Sequence, residues 1–223
     1  MQTSNHLGAE PTDIEDILKK IEISYHIHFE KEEFPHTLTF GKLCDAVIAK
    51  IALEDRKDCT SQQAFYKLRL AISKTMNIEK QKIEPETNLK DIFIRRNRMH
   101  QIIKVEKELG FALNILEPHL IIVIGFIFMF LCSVGLLFFN WVLALFVMLG
   151  TFLLILIANK TGKEFSIKTV REVAKKMARE HYLSSRRNNA SINRKEIPVQ
   201  IKTMFVNDLG VRLEEIKCDT IIV

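Results

Sequence analysis

The sequence predicts an all-α protein made of two small helical units and a two-helix transmembrane hairpin. Residues 120–158 contain no acidic, basic or histidine side chain, which indicates helices that span a membrane. Both arms that flank this run carry apolar residues at helical spacing, which indicates amphipathic helices. Segments of one arm also align with segments of the other, which indicates that a helical unit occurs twice.

The uncharged run is too long for one membrane span and suits two. A continuous helix over residues 120–158 would measure about 58 Å, whereas the hydrocarbon core of a bilayer is about 30 Å thick. Asn140 is the most polar residue of the run and suits a tight turn. We therefore expect spans at Leu120–Phe139 and Trp141–Ala158. The alternative, a helical pair in a soluble core, leaves no polar face to meet water.

The charges on the flanks predict the orientation of the hairpin. Lysine and arginine occur seven times between residues 160 and 179, whereas the turn at Asn140 is uncharged. An excess of positive charge marks the cytoplasmic side of a membrane protein. We therefore expect an integral membrane protein with two spans and both termini in the cytoplasm, located in a bacterial inner membrane.

The composition excludes several classes of function. A net charge of +5 suits contact with anionic lipid but is too small to indicate nucleic-acid binding. The four cysteines lack the spacing of a zinc site or a disulfide framework. The sequence has no phosphate-binding, zinc-protease or serine-hydrolase motif. It therefore predicts a protein without enzyme activity, metal or cofactor.

Apolar spacing predicts six amphipathic helices in the two arms. The first begins at Asp13, and Thr39 caps the second. Residues 53–61 form a predicted linker to the third helix, and Gly110 ends the fourth. Two more helices follow the hairpin, with a basic linker at residues 183–195 between them. The predicted ranges are 13–25, 39–51, 61–76, 95–109, 166–182 and 196–208. Their apolar faces, the predicted core, include Ile21, Leu43, Leu68, Ile102, Val173 and Ile201.

Comparison of the sequence with itself reveals a repeated helix exit and loop. The stretch MNIEKQKIEPETNL (76–89) aligns with LGVRLEEIKCDTII (209–222), and each follows a helix of similar length. Ile83 of the first stretch matches Ile216 of the second. A match that joins the end of a helix to the same loop indicates a repeated supersecondary unit.

Two further matches show where the copies differ. Residues 25–29 align with 109–113, and TFGKLCDAV (39–47) aligns with TVREVAKKM (169–177). Between these two matches the offset grows from 84 to 130 residues. The later copy has therefore gained 46 residues, which is about the length of the hairpin with short flanks.

These sequence segments resemble those of the acyl carrier protein family, whose fold has four helices. LGVRLEEIKCDT and MNIEKQKIEPETNL look like the exit of its first helix, KVEKELGFAL like the end of its second, and TLTFGKLCDAVIAKI like the start of its fourth. The resemblance implies one unit at residues 61–182, interrupted near its third helix by the hairpin at 120–158. It implies a second unit split between residues 13–53 and 195–223.

The split unit has a physical consequence. Residues 13–53 and 195–223 each carry an apolar face without a partner nearby in sequence, which a soluble segment rarely exposes. We expect the two segments to pack together, either as a circularly permuted unit or by exchange between two chains of a homo-oligomer. The alternative is that the helices lie separately on the bilayer surface.

The resemblance implies the carrier fold but not carrier activity. In this family phosphopantetheine is attached to a serine in an Asp-Ser-Leu triplet at the start of the second helix. The corresponding positions lie near Arg95 and near Pro11, and neither has the triplet. Both units are therefore predicted to be pseudo-carriers.

Arginines stand where the serine would be, at Arg95, Arg96 and Arg98. Each cation at a helix N-terminus opposes the helix dipole by about 0.3–1 kcal/mol, so folding alone gives no reason to place three there. The cluster predicts a binding site for an anion, either lipid phosphate or an acidic surface of a partner. The alternative is an ordinary solvated face.

The sequence thus predicts a non-catalytic, membrane-anchored scaffold or adaptor, which docks protein partners on the cytoplasmic face of the membrane. The resemblance implies enzymes of lipid or acyl metabolism as those partners. Two other functions remain open. One is a subunit of an oligomeric channel or transporter, and the other is an acyl carrier with a non-standard attachment site.

Overall fold

Helices make up most of the structure, a computed structural model that describes residues 6–30, 38–160 and 163–222. The α-helices are α1 (Pro11–Tyr25), α2 (Phe40–Lys50), α3 (Thr60–Met76), α4 (Leu89–Ile92), α5 (Arg98–Leu109), α6 (Leu120–Leu136), α7 (Trp141–Lys160), α8 (Val170–Glu180), α9 (Tyr182–Ser185) and α10 (Ile197–Leu209). The strands are β1 (Glu54–Asp55), β2 (Leu116–Glu117), β3 (Glu164–Phe165) and β4 (Ser191–Ile192). The prediction of a mainly helical protein is therefore confirmed.

Two helix ends that the sequence predicted from capping residues are present, and so is the turn that it predicted at Asn140. The Thr39 side chain accepts a hydrogen bond from the Lys42 amide at 3.4 Å and caps α2. Gly110 ends α5 with a left-handed φ of 87°, as predicted. Asn140 ends the turn after α6, and its side chain accepts a hydrogen bond from the Leu143 amide at 3.1 Å.

Several predicted helix boundaries are wrong. The first helix starts at Pro11 instead of Asp13, and the helix predicted at 166–182 covers Val170–Glu180. The fourth predicted helix starts at Arg98 instead of Arg95, because the Asn97 amide closes a turn on the Ile94 carbonyl at 3.1 Å. The first hairpin helix ends at Leu136, three residues before the predicted end of its span, because residues 137–139 form a tighter turn.

The first of two compact units comprises Met1–Leu70 and Val173–Val223. Within it, α10 packs against both α1 and α2. The rings of Phe40 and Phe205 meet edge to face with their centroids 6.0 Å apart. One hydrophobic core thus joins segments from opposite ends of the chain. Its buried side chains include Ile14, Ile17, Ile21, Tyr25, Leu43, Val47, Ile197, Ile201, Met204 and Phe205.

The two segments predicted as linkers are instead ordered parts of this unit. Residues 183–195 contain α9 and β4, and β4 pairs in parallel with β1 from the segment 53–61. Leu183 and Ile192 are buried in the hydrophobic core, and Arg186 is buried as well. The polar and basic composition concealed this, because the buried guanidinium is matched by hydrogen-bond partners that lie far away in sequence.

The second compact unit comprises Ala71–Glu172 and contains the hairpin. Strands β2 and β3 pair antiparallel, with Leu116 opposite Phe165 and Glu117 opposite Glu164. The two flanks of the hairpin therefore return to the same place. The buried side chains of this unit include Ile83, Leu89, Phe93, Ile102, Val105, Leu113, Ile115 and Val170.

The repeated loop has the same backbone structure in both units. Residues 76–89 and 209–222 each pass from the end of a helix into a single 3-10 turn, at Lys80–Lys82 and Leu213–Glu215. The Glu84 amide donates to the Thr87 hydroxyl at 2.9 Å. The equivalent Lys217 amide donates to the Thr220 hydroxyl at 2.8 Å. The sequence alignment of the two loops therefore corresponds to a shared hydrogen-bond pattern.

Each loop also holds the start of the helix that the alignment assigned to it. The Phe40 amide of α2 donates to the Thr220 carbonyl at 2.9 Å, and the Val170 amide of α8 donates to the Thr87 carbonyl at 3.1 Å. In the structure α2 and α8 have the same length of 11 residues. Both helices therefore begin by docking their first turn on the repeated loop.

A third repeated contact follows α1 and α5. The Phe29 amide donates to the Glu22 carboxylate, and the Leu113 amide donates to the Glu106 carboxylate, both at 2.6 Å. These residues are related by the same offset of 84 that the sequence alignment gave. A glutamate in the last turn of each helix thus fixes the chain that leaves it.

The hairpin helices α6 and α7 are connected by the turn at residues 137–140 and pack against each other. Among the described residues, the segment Trp141–Ala158 of α7 is the one helix long and apolar enough to cross a membrane, whereas Leu120–Leu136 is shorter. The second predicted span is therefore long enough for a membrane, whereas the pair of spans at Leu120–Phe139 and Trp141–Ala158 stays a prediction. At the tip of the hairpin Phe138 and Phe139 are 89% and 90% exposed.

We expect the joint core to make α1 depend on α10 for its stability. Phe205→Ala removes a fully buried ring from α10 and should lower the free energy of unfolding of the first unit by about 3–5 kcal/mol. Amide hydrogen exchange of the full chain in detergent should then show faster exchange in α1 and α2 as well as in α10.

The matched control is Val199→Ala on the same helix, where the side chain is 60% exposed. It should change stability by no more than about 0.5 kcal/mol. If Phe205→Ala speeds exchange only in α10, the two ends of the chain do not share one cooperative core.

Candidate functional site

The three arginines predicted as a binding site occupy two different environments. Arg98 is the first residue of α5 and its side chain is only 4% exposed. Arg95 and Arg96 lie in the turn before the helix, and the Arg95 side chain is 66% exposed. The prediction of three cations on one helix N-terminus is therefore wrong. Only Arg95 and Arg96 are available to a ligand.

Arg98 holds the flank of the hairpin in place. Its guanidinium donates to the Lys163 carbonyl, and its Nε donates to the Phe93 carbonyl at 3.4 Å. The guanidinium carbon also lies 4.5 Å from the centroid of the Phe165 ring, which is a cation–π contact. Arg98 therefore ties the start of α5 to β3, immediately after the hairpin.

Glu164 is the anion that faces both arginines. Its carboxylate lies 2.7 Å from Arg95 and 3.8 Å from Arg98. Burial lowers the pKa of Arg98, and the charge of Glu164 opposes that shift while Arg95 adds to it. An arginine stays charged in any case, so this group of side chains carries one net positive charge when Arg96 is left aside.

The internal repeat explains why the buried arginine was hard to predict. With the offset of 84, Arg98 corresponds to Ile14, a core residue in the first turn of α1. The position is thus a core position in both units. In the second unit the hairpin flank adds an aromatic ring and a carboxylate, which make a cation acceptable there. One signal existed, since Glu164 is the only acidic residue between Glu117 and Glu172.

A second polar cluster, built around Arg186, was not predicted. The Arg186 side chain is fully buried in the first unit and pairs with the Asp58 carboxylate. It also donates to the Thr60 hydroxyl at 2.6 Å and to the Ser191 hydroxyl at 3.4 Å. Burial raises the pKa of Asp58, but the hydrogen bond and charge of Arg186 outweigh this and leave that pKa below its usual value.

Tyr182 connects this cluster to α10. The Tyr182 hydroxyl donates to the Glu196 carboxylate at 3.2 Å and accepts from the Asn193 amide at 3.0 Å. Burial raises the pKa of Tyr182. Its ring lies 5.0 Å from that of Tyr25 in α1, measured between centroids. The cluster therefore fastens α1, α9 and α10 together, which is a structural task.

The described residues offer no metal centre. No group of three histidine, cysteine or carboxylate side chains among residues 6–30, 38–160 and 163–222 could hold a metal ion. The His28 imidazole lies 2.9 Å from the Glu22 carboxylate.

Comparisons of the chain with protein-family models, with curated proteins and with solved structures gave no match.

We expect Arg98 and Arg96 to differ sharply in their effect on stability. Arg98→Met leaves Glu164 without its buried partner and frees two backbone carbonyls, so the second unit should lose about 1–3 kcal/mol of unfolding free energy. Urea unfolding of the full chain in detergent, followed by hydrogen exchange in α5 and β3, measures the loss.

Arg96→Met is the matched control because this side chain is exposed. It should leave the unfolding curve within about 0.5 kcal/mol of the unmodified protein. Equal stability of the two variants would mean that Arg98 does not anchor the hairpin flank.

Proposed function

We propose that this protein is a non-catalytic membrane scaffold, in which an inserted hairpin anchors two carrier-like helical units. The observation that carries the proposal is the exposed surface of α6 and α7. Most of their large apolar side chains are exposed. Among the side chains of α6 and α7 that the structure describes, the buried ones are small or polar, namely Ser133, Ala144 and Thr151.

The exposed surface argues against a water-soluble hairpin. Soluble proteins rarely expose a continuous apolar patch of more than a few hundred Å², and here both helices are apolar on all sides. At 1.5 Å per residue, α7 measures about 30 Å, the thickness of the hydrocarbon core. The shorter α6 measures about 26 Å and gains length from the three residues of its tight turn.

Arg95 and Arg96 supply the contact with lipid headgroups in this proposal. Arg95 pairs with Glu164, which lies six residues beyond Ala158, the last residue of the uncharged run. The short distance along the chain keeps both arginines near the end of α7. Ile94 beside them is 67% exposed. An exposed apolar residue next to two cations suits the boundary between acyl chains and anionic headgroups.

The repeated architecture supports carrier-like units without carrier chemistry. Both copies share a loop, a helix start and a glutamate contact, which indicates one ancestral fold used twice. The attachment positions that the resemblance implies hold Arg95 and Pro11, and neither side chain can form a phosphate ester. The units are then suited to docking protein partners, and enzymes of acyl or lipid metabolism remain the class that the resemblance implies.

We expect native cysteines to report a two-span topology. In sealed vesicles that carry the full chain, a membrane-impermeant maleimide should label the exposed Cys59 and Cys218 from the same side. A variant with Cys132→Ser and Asn140→Cys should gain a label at residue 140 from the opposite side only, because the hairpin tip emerges there.

Cys44 is the internal control, because it is buried and should react only after unfolding. If residue 140 is labelled from the same side as Cys59, the hairpin does not cross the bilayer, and the proposal of two spans is wrong.

We also expect Arg95 and Arg96 to retain anionic lipid. Native mass spectra of the full chain, released from nanodiscs that contain phosphatidylglycerol, should show bound lipid. The double variant Arg95→Glu, Arg96→Glu should reduce the amount of bound lipid at least about fivefold, since each cation near the surface contributes about 1 kcal/mol.

Native mass spectra also test the absence of carrier chemistry. After coexpression with a phosphopantetheinyl transferase, they should show a chain mass without phosphopantetheine.

The matched control is the double variant Lys19→Glu, Lys42→Glu, which changes two exposed lysines of the first unit. It should leave the bound lipid unchanged. Equal loss of lipid in both double variants would show that Arg95 and Arg96 are not a specific lipid contact. A chain mass that gains one phosphopantetheine would show that the protein is an acyl carrier and would contradict the proposed lack of carrier activity.

A further inference from the structure

A pocket of about 370 Å³ lies in the first unit, between α3 and the loop that follows α9. Its volume falls within the range of small-molecule sites. The lining residues are Gln63, Tyr66, Lys67, Leu70, Arg186, Arg187 and Asn189. Three of them are cations, and no carboxylate lines the pocket in the described part of the chain. Arg95, Arg96, Arg98 and the hairpin residues are not part of its lining, and the proposed function does not use this pocket.

Two of the three cations lack a counter-charge. Lys67 is half-buried, and its ammonium group donates to the Ser184 carbonyl at 2.5 Å. Burial lowers its pKa, which is the response of an ammonium that has lost water without gaining an anion. Among the residues that the structure describes, neither Lys67 nor Arg187 forms a salt bridge.

The third cation is satisfied in charge but not in hydrogen bonding. Arg186 is matched by Asp58 outside the pocket lining. Its Nε, however, is buried and has no hydrogen-bond partner. A buried donor of a charged group that is left without an acceptor costs free energy. Arg186 adds positive charge to the lining, but it is not the group that holds a ligand.

The remaining lining defines the rest of the ligand. Tyr66 and Leu70 lie on the same face of α3 as Lys67 and are 39% and 49% exposed. They form an apolar side of the pocket beside the cationic side. A ligand that fills both sides carries an anionic group attached to an apolar or aromatic one.

We propose that this pocket binds a phosphate monoester with an apolar substituent, with Lys67 and Arg187 holding the phosphate and Tyr66 and Leu70 contacting the substituent. The charge favours phosphate over carboxylate, because a phosphate monoester carries a charge of about −1.5 to −2 at pH 7. Two cations without partners match that charge, and a carboxylate would leave one of them unmatched. The ligand is either a soluble phosphate ester or the headgroup of a lipid such as phosphatidic acid.

Calorimetric titration of the full chain in neutral detergent tests the site with phenyl phosphate, inorganic phosphate and benzoate. We expect phenyl phosphate to bind more tightly than inorganic phosphate, which lacks the apolar group, and more tightly than benzoate, which has a single charge. Lys67→Met and Arg187→Gln should each weaken phenyl phosphate binding by about tenfold or more. Lys42→Met, which changes an exposed lysine of α2 outside the pocket lining, should leave it unchanged.

Arg187→Gln keeps the test valid if Lys67→Met does not fold, because Arg187 is exposed. In nanodiscs, phosphatidic acid should displace phenyl phosphate if the headgroup is the ligand, and should leave it bound if the ligand is soluble. Failure of phenyl phosphate to bind would overturn the proposal. So would unchanged binding in Arg187→Gln, or benzoate binding as tightly as phenyl phosphate.

Discussion

The closure of the second unit across the hairpin is the constraint on which that unit depends. A compact unit can hold a long hairpin within its sequence only if both flanks of the hairpin return to the same place. Here the pairing of β2 with β3 brings them together, and Arg98 then binds the returning strand through Lys163, Glu164 and Phe165. A buried cation is costly by itself, and in this unit it is balanced by a ring, a carboxylate and two carbonyls.

The first unit is assembled from segments that lie at distant positions in the sequence. Helix α10 completes the core that α1 and α2 begin. The polar cluster around Arg186 and Tyr182 then fastens segments that lie far apart in sequence, next to the short β1–β4 pair. A buried polar network whose members find partners favours one arrangement of its segments. Here the Tyr182 hydroxyl and both terminal nitrogens of Arg186 are paired, while the Arg186 Nε is not. That role suits a unit whose pieces must find one register among several helical neighbours.

The sequence allowed most of the helices to be predicted, because amphipathic spacing and caps are local signals. The Thr39 cap and the Gly110 stop lie where those signals placed them. The repeated loop was also predictable, since its apolar and threonine positions recur at a fixed offset. Residues 183–195 were misjudged because Arg186 depends on Asp58 and Thr60, which lie more than a hundred positions away. No local pattern distinguishes such an arginine from one on a solvated linker.

The candidate site shows the same limit. The sequence singled out Arg95, Arg96 and Arg98 together, but it could not reveal that Arg98 is buried beneath Phe165. Its equivalence to Ile14 becomes visible only when the repeat is extended to the start of the helix. The pocket beside Lys67 was missed altogether, because its lining combines one face of α3 with a loop from the far end of the chain.

The position of α10 after the second unit in the sequence has a consequence for biosynthesis. A ribosome delivers α1 and α2 first, then the second unit with its hairpin, and α10 only afterwards. The core of the first unit therefore stays incomplete while the second unit is being made. Until α10 has been made, the apolar faces of the nascent α1 and α2 need protection by chaperones.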